Sequence, residues 1–350
     1  MANPDDDLRR EKEADYRYLQ VAGTHLEMGR QLAQAIGPLP FSGGKKGDLP
    51  TPSQLSFARR CVEAICNFHP HLLEEYEGWA KALHLEIDSL LAVLGAGQED
   101  SGRCSSFAIR KDGRTVVGRN YDFFYWARSR YLIAARPEAY YATLGMNDGY
   151  LAGRLDGVNE RGLFVALHGL QAQRPQRVEP GVTFLLVPRL LLETCASAEE
   201  AAMVVQEMPH LFSANYLIAD PSDAFVAEAS PGLVRVREAE DHFLATTNHF
   251  LHPDLSTLVE SAIEENSKRR LIKMEEALRA SDSDLWELAQ RLLTDHQVPM
   301  CGHVDGLATS WSVIADLTER RVVYSMGAPC RNPYQEYPWP ECREEVAFLG

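Results

Sequence analysis

The chain has 350 residues, 45% of them apolar, and a formal net charge of −15 from 35 basic and 50 acidic side chains. That balance excludes the basic surface a nucleic-acid binder needs to displace counterions, and the lack of an 18-residue apolar run excludes a membrane-spanning helix. The first residues, Met1-Ala2-Asn3-Pro4-Asp5-Asp6-Asp7, are acidic where a secretory leader is basic and then apolar, so a cytoplasmic chain of one large or two small domains is expected.

Residues 1–15 are highly charged and read as a disordered tail. A short strand follows at Tyr18–Val21. Thr24-His25-Leu26-Glu27 has the form of a capping box and starts a helix to about Ala35. The Gly/Pro/Lys-rich stretch 37–52 is a loop, and two helices are expected over about 53–76 and 79–94. Residues 16–103 therefore read as mostly helical.

After Cys104 the pattern changes. Phe107–Arg110 and Thr115–Gly118 flank Asp112-Gly113 and predict a hairpin. Leu151–Val158 and Gly162–Leu167 read as a second strand pair. Helices are expected over 185–195 and 198–208, then strands at 214–219 and 224–229. A further pair is read at 234–237 and 242–247. Helices over 258–280 and 284–294 precede strands at 311–315 and 321–326. No repeat is visible, and the order predicts an α+β fold with helices layered on antiparallel sheets.

The seven cysteines are irregularly spaced with no CxxC pair, which reads as free thiols. His296, Cys301 and His303 fall close together but lack a paired zinc framework, and Ser310 is not in a G-x-S-x-G elbow. Neither a metal nor an organic cofactor is expected.

The informative stretch runs from Gly102-Arg103-Cys104-Ser105-Ser106-Phe107 to Gly118-Arg119-Asn120-Tyr121-Asp122. In a hairpin the start of one strand lies beside the end of the next, which brings Arg119 and Asp122 to Cys104. This pattern resembles the N-terminal-nucleophile hydrolases of the choloylglycine hydrolase and penicillin acyltransferase (peptidase C45) group. Four further blocks continue the likeness in order: Gly157-Val158-Asn159-Glu160-Arg161-Gly162-Leu163, then Ala214–Asp220 with Glu228-Ala229-Ser230-Pro231, then Thr246-Thr247-Asn248-His249-Phe250, and Ser267-Lys268-Arg269-Arg270. Together they span roughly residues 17–330.

The resemblance implies a four-layer αββα sandwich with 104–350 as the catalytic core and 16–103 as a pro-segment or small subunit. It implies a Cys104 nucleophile freed by cleavage at Arg103–Cys104, whose α-amine becomes the base. An α-amine with a pKa of about 8 accepts a proton near neutrality far better than lysine. Asp122 would hold that ammonium, Arg119 and Arg270 would steady the thiolate and Asp122, and Asn248 would donate to the oxyanion, a contribution of about 3–4 kcal/mol. The substrate would be a small linear acyl amide or an acyl thioester, with water or an amine as acceptor.

Two departures stand out. Arg103 replaces the glycine that precedes the nucleophile in part of the family, and His168 stands where the bile-salt branch carries Asn, so His168 would donate a hydrogen bond or gate the substrate. That and the helical first 103 residues favour the acyltransferase branch. Two alternatives stay open: an uncleaved cysteine amidase with His168 or His249 as base, and a non-catalytic binding protein of the same fold. Phe123-Phe124-Tyr125-Trp126 and Tyr140-Tyr141 are candidates for an aromatic acyl pocket or for core, and the sequence leaves self-association open.

Overall fold

The computed structural model describes residues 11, 13–38, 50–95, 102–125, 127–173, 178–239, 241–259, 261–280, 283–298, 300–303 and 307–341. Most of the charged tail, residues 1–10 and 12, lies outside them; Glu11 accepts hydrogen bonds from Ala328 N and Asn332 Nδ2.

Two sheets carry the core. Among the described residues the larger has eight strands in the order β1 (Asp15–Gly23), β4 (Ser129–Pro137), β5 (Thr143–Asn147), β6 (Asp156–Asn159), β7 (Phe164–Gly169), β8 (Ala214–Ala219), β9 (Ala224–Ser230), β10 (Leu233–Glu238). The smaller has six, in the order β11 (Phe243–Thr246), β2 (Ser105–Lys111), β3 (Arg114–Phe124), β12 (Leu307–Asp316), β13 (Arg321–Ser325), β14 (Gln335–Tyr337). The inner strands of both sheets are buried along most of their length, which is what packing on both faces requires. Helices α5 (Val187–Thr194) and α6 (Ala198–Glu207) cover the larger sheet, α8 (Ser261–Ala280) and α9 (Leu285–Leu293) cover the smaller, and β2 packs on β8 between them. This is the expected four-layer αββα sandwich, an α+β fold.

The N-terminal segment joins the same body. Helix α1 (His25–Ile36) starts at the predicted capping box, with Thr24 accepting from Glu27 N and the Glu27 side chain accepting from Thr24 N. It packs on β1 and β4, and β1 pairs parallel with β4 through nine register pairs from Asp15↔Ser129 to Gly23↔Pro137. Helices α2 (Pro52–Cys66), α3 (Glu74–Leu83) and α4 (Ile87–Gly95) complete the layer. A Cβ on Gly29 would meet the Glu75 carbonyl at 2.2 Å, and one on Gly78 the Leu26 carbonyl at 2.0 Å, so α1 and α3 touch backbone to backbone.

A buried ionic cluster ties this layer to α5. Arg189 Nε donates to Glu193 at 2.8 Å, and its Nη2 lies 2.6 Å from Glu75. His25 and His69 both approach the other Glu193 oxygen, at 2.9 and 2.8 Å.

Several sequence readings need correction. The helix expected over 53–76 breaks at Cys66, because Pro70 lacks an N–H and disfavours helix before it. The helix over 79–94 is the end of α3 and all of α4, split at His84 with φ 55°. The helix over 258–280 is α8 preceded by a single turn, α7 (Pro253–Ser256). Residues 151–155 are turn, with Ala152 at φ 57°, and only Asp156–Asn159 pair. The strands at 234–237 and 242–247 exist but do not pair together: β10 joins β9, while β11 joins β2 in the other sheet. Strands β4, β5 and β14 were not anticipated.

Candidate active site

The β2–β3 hairpin sets the geometry. Its turn has Asp112 at φ 53° and Gly113 at φ 76°, the left-handed pair that an Asp-Gly hairpin turn demands. Register then runs Lys111↔Arg114 down to Ser106↔Arg119 and Ser105↔Asn120, which brings the end of β3 to the foot of β2 where Cys104 lies. On the other side of β2, Thr246 pairs with Ser106. Two residues on, Asn248 falls level with Cys104.

Cys104 is fully buried. Arg119, also fully buried, donates from Nη2 to its sulfur at 3.8 Å and to the Leu167 carbonyl at 2.5 Å. Its Nη1 donates to Asp156 at 2.5 Å and to the Leu155 carbonyl. Arg119 therefore spans the gap between the sheets. Burial opposes its charge, but Asp156 and Cys104 outweigh burial and hold its pKa above the ordinary value. Asp156 is held in turn by the Trp311 indole N–H at 2.7 Å and the Tyr324 hydroxyl at 3.3 Å.

Arg270 approaches from α8. Its Nη1 donates to the Cys104 carbonyl at 2.5 Å and to Ser105 Oγ at 2.7 Å, and its Nη2 to Asn248 Oδ1 at 3.0 Å. Helical spacing decides which side chains of this segment reach the interior. Ser267 and Arg270, three apart, face inward and are buried, while Lys268 and Arg269 are exposed. Burial lowers the Arg270 pKa to about 10, so it stays charged at neutral pH. Ser267 Oγ accepts from Asn248 N at 2.8 Å, and Asn248 Nδ2 donates to the Gly169 carbonyl at 2.9 Å. Both ends of the Asn248 amide are thus fixed.

Asp122 accepts from Thr309 Oγ1 at 2.6 Å, its register partner on β12. Its backbone carbonyl accepts from Arg103 N at 3.1 Å. Burial raises its carboxyl to about 7, against the Thr309 bond and the nearby charges of Arg270, Arg103 and Arg119. A bulge at Ser310 shifts the β3–β12 register by one, so Trp311 stacks on Tyr121 with ring centroids 4.0 Å apart.

His168 reaches β2 from the facing sheet. Its Nε2 bonds Ser106 Oγ at 2.8 Å, and burial followed by the Arg119 charge pushes its pKa well below the usual range. It is a neutral imidazole at pH 7. Asn215, opposite His168 on β8, donates to the Thr247 carbonyl at 3.1 Å and the His249 carbonyl at 2.8 Å, which pins the turn that carries Asn248.

The six candidates therefore converge on the mouth of one hairpin. Residues 109–329, well over half of the chain, match the model of the acyl-coenzyme A:6-aminopenicillanic acid acyl-transferase family. The chain belongs to this acyl-transferase family. Membership of that family makes it an acyl-transferring enzyme. The matched span contains Arg119, Asp122, His168, Asn248 and Arg270, and Cys104 lies just before it.

Solved structures similar to this acyl-transferase relative include a mutant conjugated bile acid hydrolase from Clostridium perfringens, with a TM-score of 0.43 at 16% identity, covering 68% of this chain and 98% of that one. An N-acylethanolamine-hydrolyzing acid amidase ortholog from Caenorhabditis elegans gives 0.44 at 16%, covering 61% and 93%. Among curated proteins none matches.

Sequence reasoning missed Asp156, Ser267 as a positioning residue, Asn215, Thr309 and Trp311. A carboxylate between two short apolar stretches, as in Arg154-Leu155-Asp156-Gly157, is the one signal that could have singled out Asp156. Of the aromatic candidates for pocket or core, Tyr140 stacks on His69 in the helical layer at 4.1 Å, Phe123 stacks on Tyr121, and Trp126 lies outside the described residues. No helix among the described residues is long and apolar enough to cross a membrane.

Proposed function

We propose that the chain is a cysteine N-terminal-nucleophile enzyme that transfers the acyl group of a small linear amide through a Cys104 thioester, after cutting itself at Arg103–Cys104. One observation carries the reading: two buried guanidiniums bracket Cys104, Arg119 at its sulfur and Arg270 at its carbonyl oxygen.

In the uncut chain the carbonyl bonded to the Cys104 nitrogen is that of Arg103. The sulfur attacks that carbon, the C–N bond to Cys104 breaks, and the nitrogen takes the proton and becomes a free α-amine. Water then hydrolyses the Arg103 thioester. The buried state of Cys104 fits such a precursor.

In turnover the α-amine takes the thiol proton and the thiolate attacks the substrate carbonyl. Asn248 donates to the oxyanion, the C–N bond breaks, and the leaving amine carries the proton away. Water or an amine attacks the thioester, the S–C bond breaks, and the thiol is restored. Asp122 holds the α-ammonium, and that added positive charge favours its carboxylate form. His168 is the weaker base, because burial and then the Arg119 charge hold its pKa well below the usual range.

Intact-mass spectrometry of wild type beside Cys104→Ala tests the proposal. Two fragments from wild type, meeting between Arg103 and Cys104, and one whole chain from the variant are expected. A whole wild-type chain that still turns over acyl amides would remove the α-amine base and the mechanism with it.

A further inference from the structure

The sequence offers His296, Cys301 and His303 without a fourth partner, and the fold supplies one. His296 follows α9, Cys301 and His303 lie in the loop before β12, and Cys330 lies in the turn after β13. The β12–β13 hairpin carries Cys330 back onto that loop. Cys301 Sγ lies 3.4 Å from His303 Nε2 and 3.6 Å from Cys330 Sγ, and His303 Nε2 lies 3.1 Å from Cys330 Sγ. One ligand atom from each of the four residues falls within 4.8 Å of all the others.

We propose that these four side chains bind one zinc ion as a structural Cys2His2 site. Zinc at its usual bond lengths, about 2.3 Å to sulfur and 2.0 Å to nitrogen, sets tetrahedral edges of about 3.8 Å between sulfurs and 3.5 Å from sulfur to nitrogen. The three separations among Cys301, His303 and Cys330 lie within a few tenths of an ångström of those edges, and the His296 ligand atom lies within 4.8 Å of each. Soft thiolate and imidazole donors select zinc over magnesium or calcium. Two thiols lose their protons to the metal, so two thiolates, two neutral imidazoles and Zn²⁺ make a site of zero net charge. Four protein ligands close the coordination sphere, which makes the site structural rather than catalytic.

The site reaches the candidate active site through one residue. Gly302, between two of the ligands, donates to Thr309 Oγ1 at 2.9 Å and accepts from Thr309 N at 3.1 Å. That same Thr309 hydroxyl donates to Asp122, and a Cβ on Gly302 would sit 3.0 Å from Asp122 Oδ2. A zinc ion here locks the loop that holds the Asp122 carboxyl.

The test is metal analysis of the purified full chain, expressed with zinc in the medium, beside Cys330→Ser. Cys330 is exposed, so serine is tolerated there by the fold. About one zinc per chain is expected for wild type and background for the variant. Chelator-stripped, reduced wild type given Co²⁺ should show thiolate-to-cobalt charge transfer and the intense visible bands of tetrahedral coordination, and Cys330→Ser should lose the charge-transfer band. Wild type without zinc and without a cobalt spectrum overturns the proposal. So does equal zinc in both proteins, or a Cys301–Cys330 disulfide in protein purified under reducing conditions.

Discussion

Two arginines are fully buried beside carboxylates, Arg189 in the helical layer and Arg119 between the sheets, and their donors go to different ends. Arg189 meets Glu193, Glu75 and the Ala152 carbonyl, and two histidines complete the Glu193 carboxylate. Burial opposes the charge on Glu193, yet Arg189, His25 and His69 outweigh it and hold that carboxyl well below its usual range. Every strong charge there has an opposite beside it. Arg119 meets one carboxylate, Asp156, and turns its other nitrogen to the Cys104 sulfur, with Arg270 on the far side of the same residue. The first cluster closes on itself and holds layers together. The second leaves positive charge facing a thiol, which is the arrangement that stabilises a thiolate.

Removing the thiol tests the second cluster most severely. Cys104→Ala should cut turnover of acyl amides by about 10⁴-fold or more while the melting temperature moves by a few degrees at most. An active variant would mean the positive charge serves something other than the sulfur.

Next in size is the contrast between the arginines themselves. Arg189→Ala leaves Glu75 and Glu193 buried without their cation and should destabilise by about 3–5 kcal/mol in urea unfolding, with turnover per folded molecule unchanged. Arg119→Lys keeps the charge but loses the planar fork, so turnover should fall by about 10²-fold while stability falls less than in Arg189→Ala. Equal effects of both substitutions on turnover would erase the distinction.

Asp122 gives a smaller, pH-dependent effect. Its native pKa of about 7 lies above the ordinary carboxylate value, so the native uncut chain keeps a proton that the unfolded chain releases. Stability therefore declines as pH rises from about 4 to 7. In the Cys104→Ala background, Asp122→Asn should flatten that decline, followed by thermal unfolding across the range. An unchanged slope would place the titration elsewhere.

The smallest effect concerns support. Ser267→Ala removes the acceptor from Asn248 N and the link to Thr247, and about 1–2 kcal/mol of stability should go with them. Turnover should fall through the loosened Asn248, while thiol alkylation at Cys104 is unaffected.

Much of this site was legible because its blocks are local. Asp112-Gly113 dictates the hairpin, the hairpin brings Arg119 to Cys104, and Ser267 with Arg270 share a helical face. Asp156, Asn215 and Thr309 were not legible, because each reaches the site only through strand order that no local pattern encodes. The same holds for Cys330, whose partners lie across a hairpin, and for β1, whose parallel partner begins more than a hundred residues later. The helix broken at Pro70 was a local signal read too lightly.

Strand β1 has a kinetic consequence. While the chain is whole, its nine pairs with β4 form within one molecule. If the proposed cut separates Arg103 from Cys104, the sheet edge belongs to one polypeptide and its neighbour to another. A denatured, processed sample must then reassemble by collision, with a rate that rises with concentration, whereas the uncut chain refolds at a rate that dilution does not change. Under the proposed cleavage folding has to precede cutting, and the nick would make the finished molecule one that is assembled once.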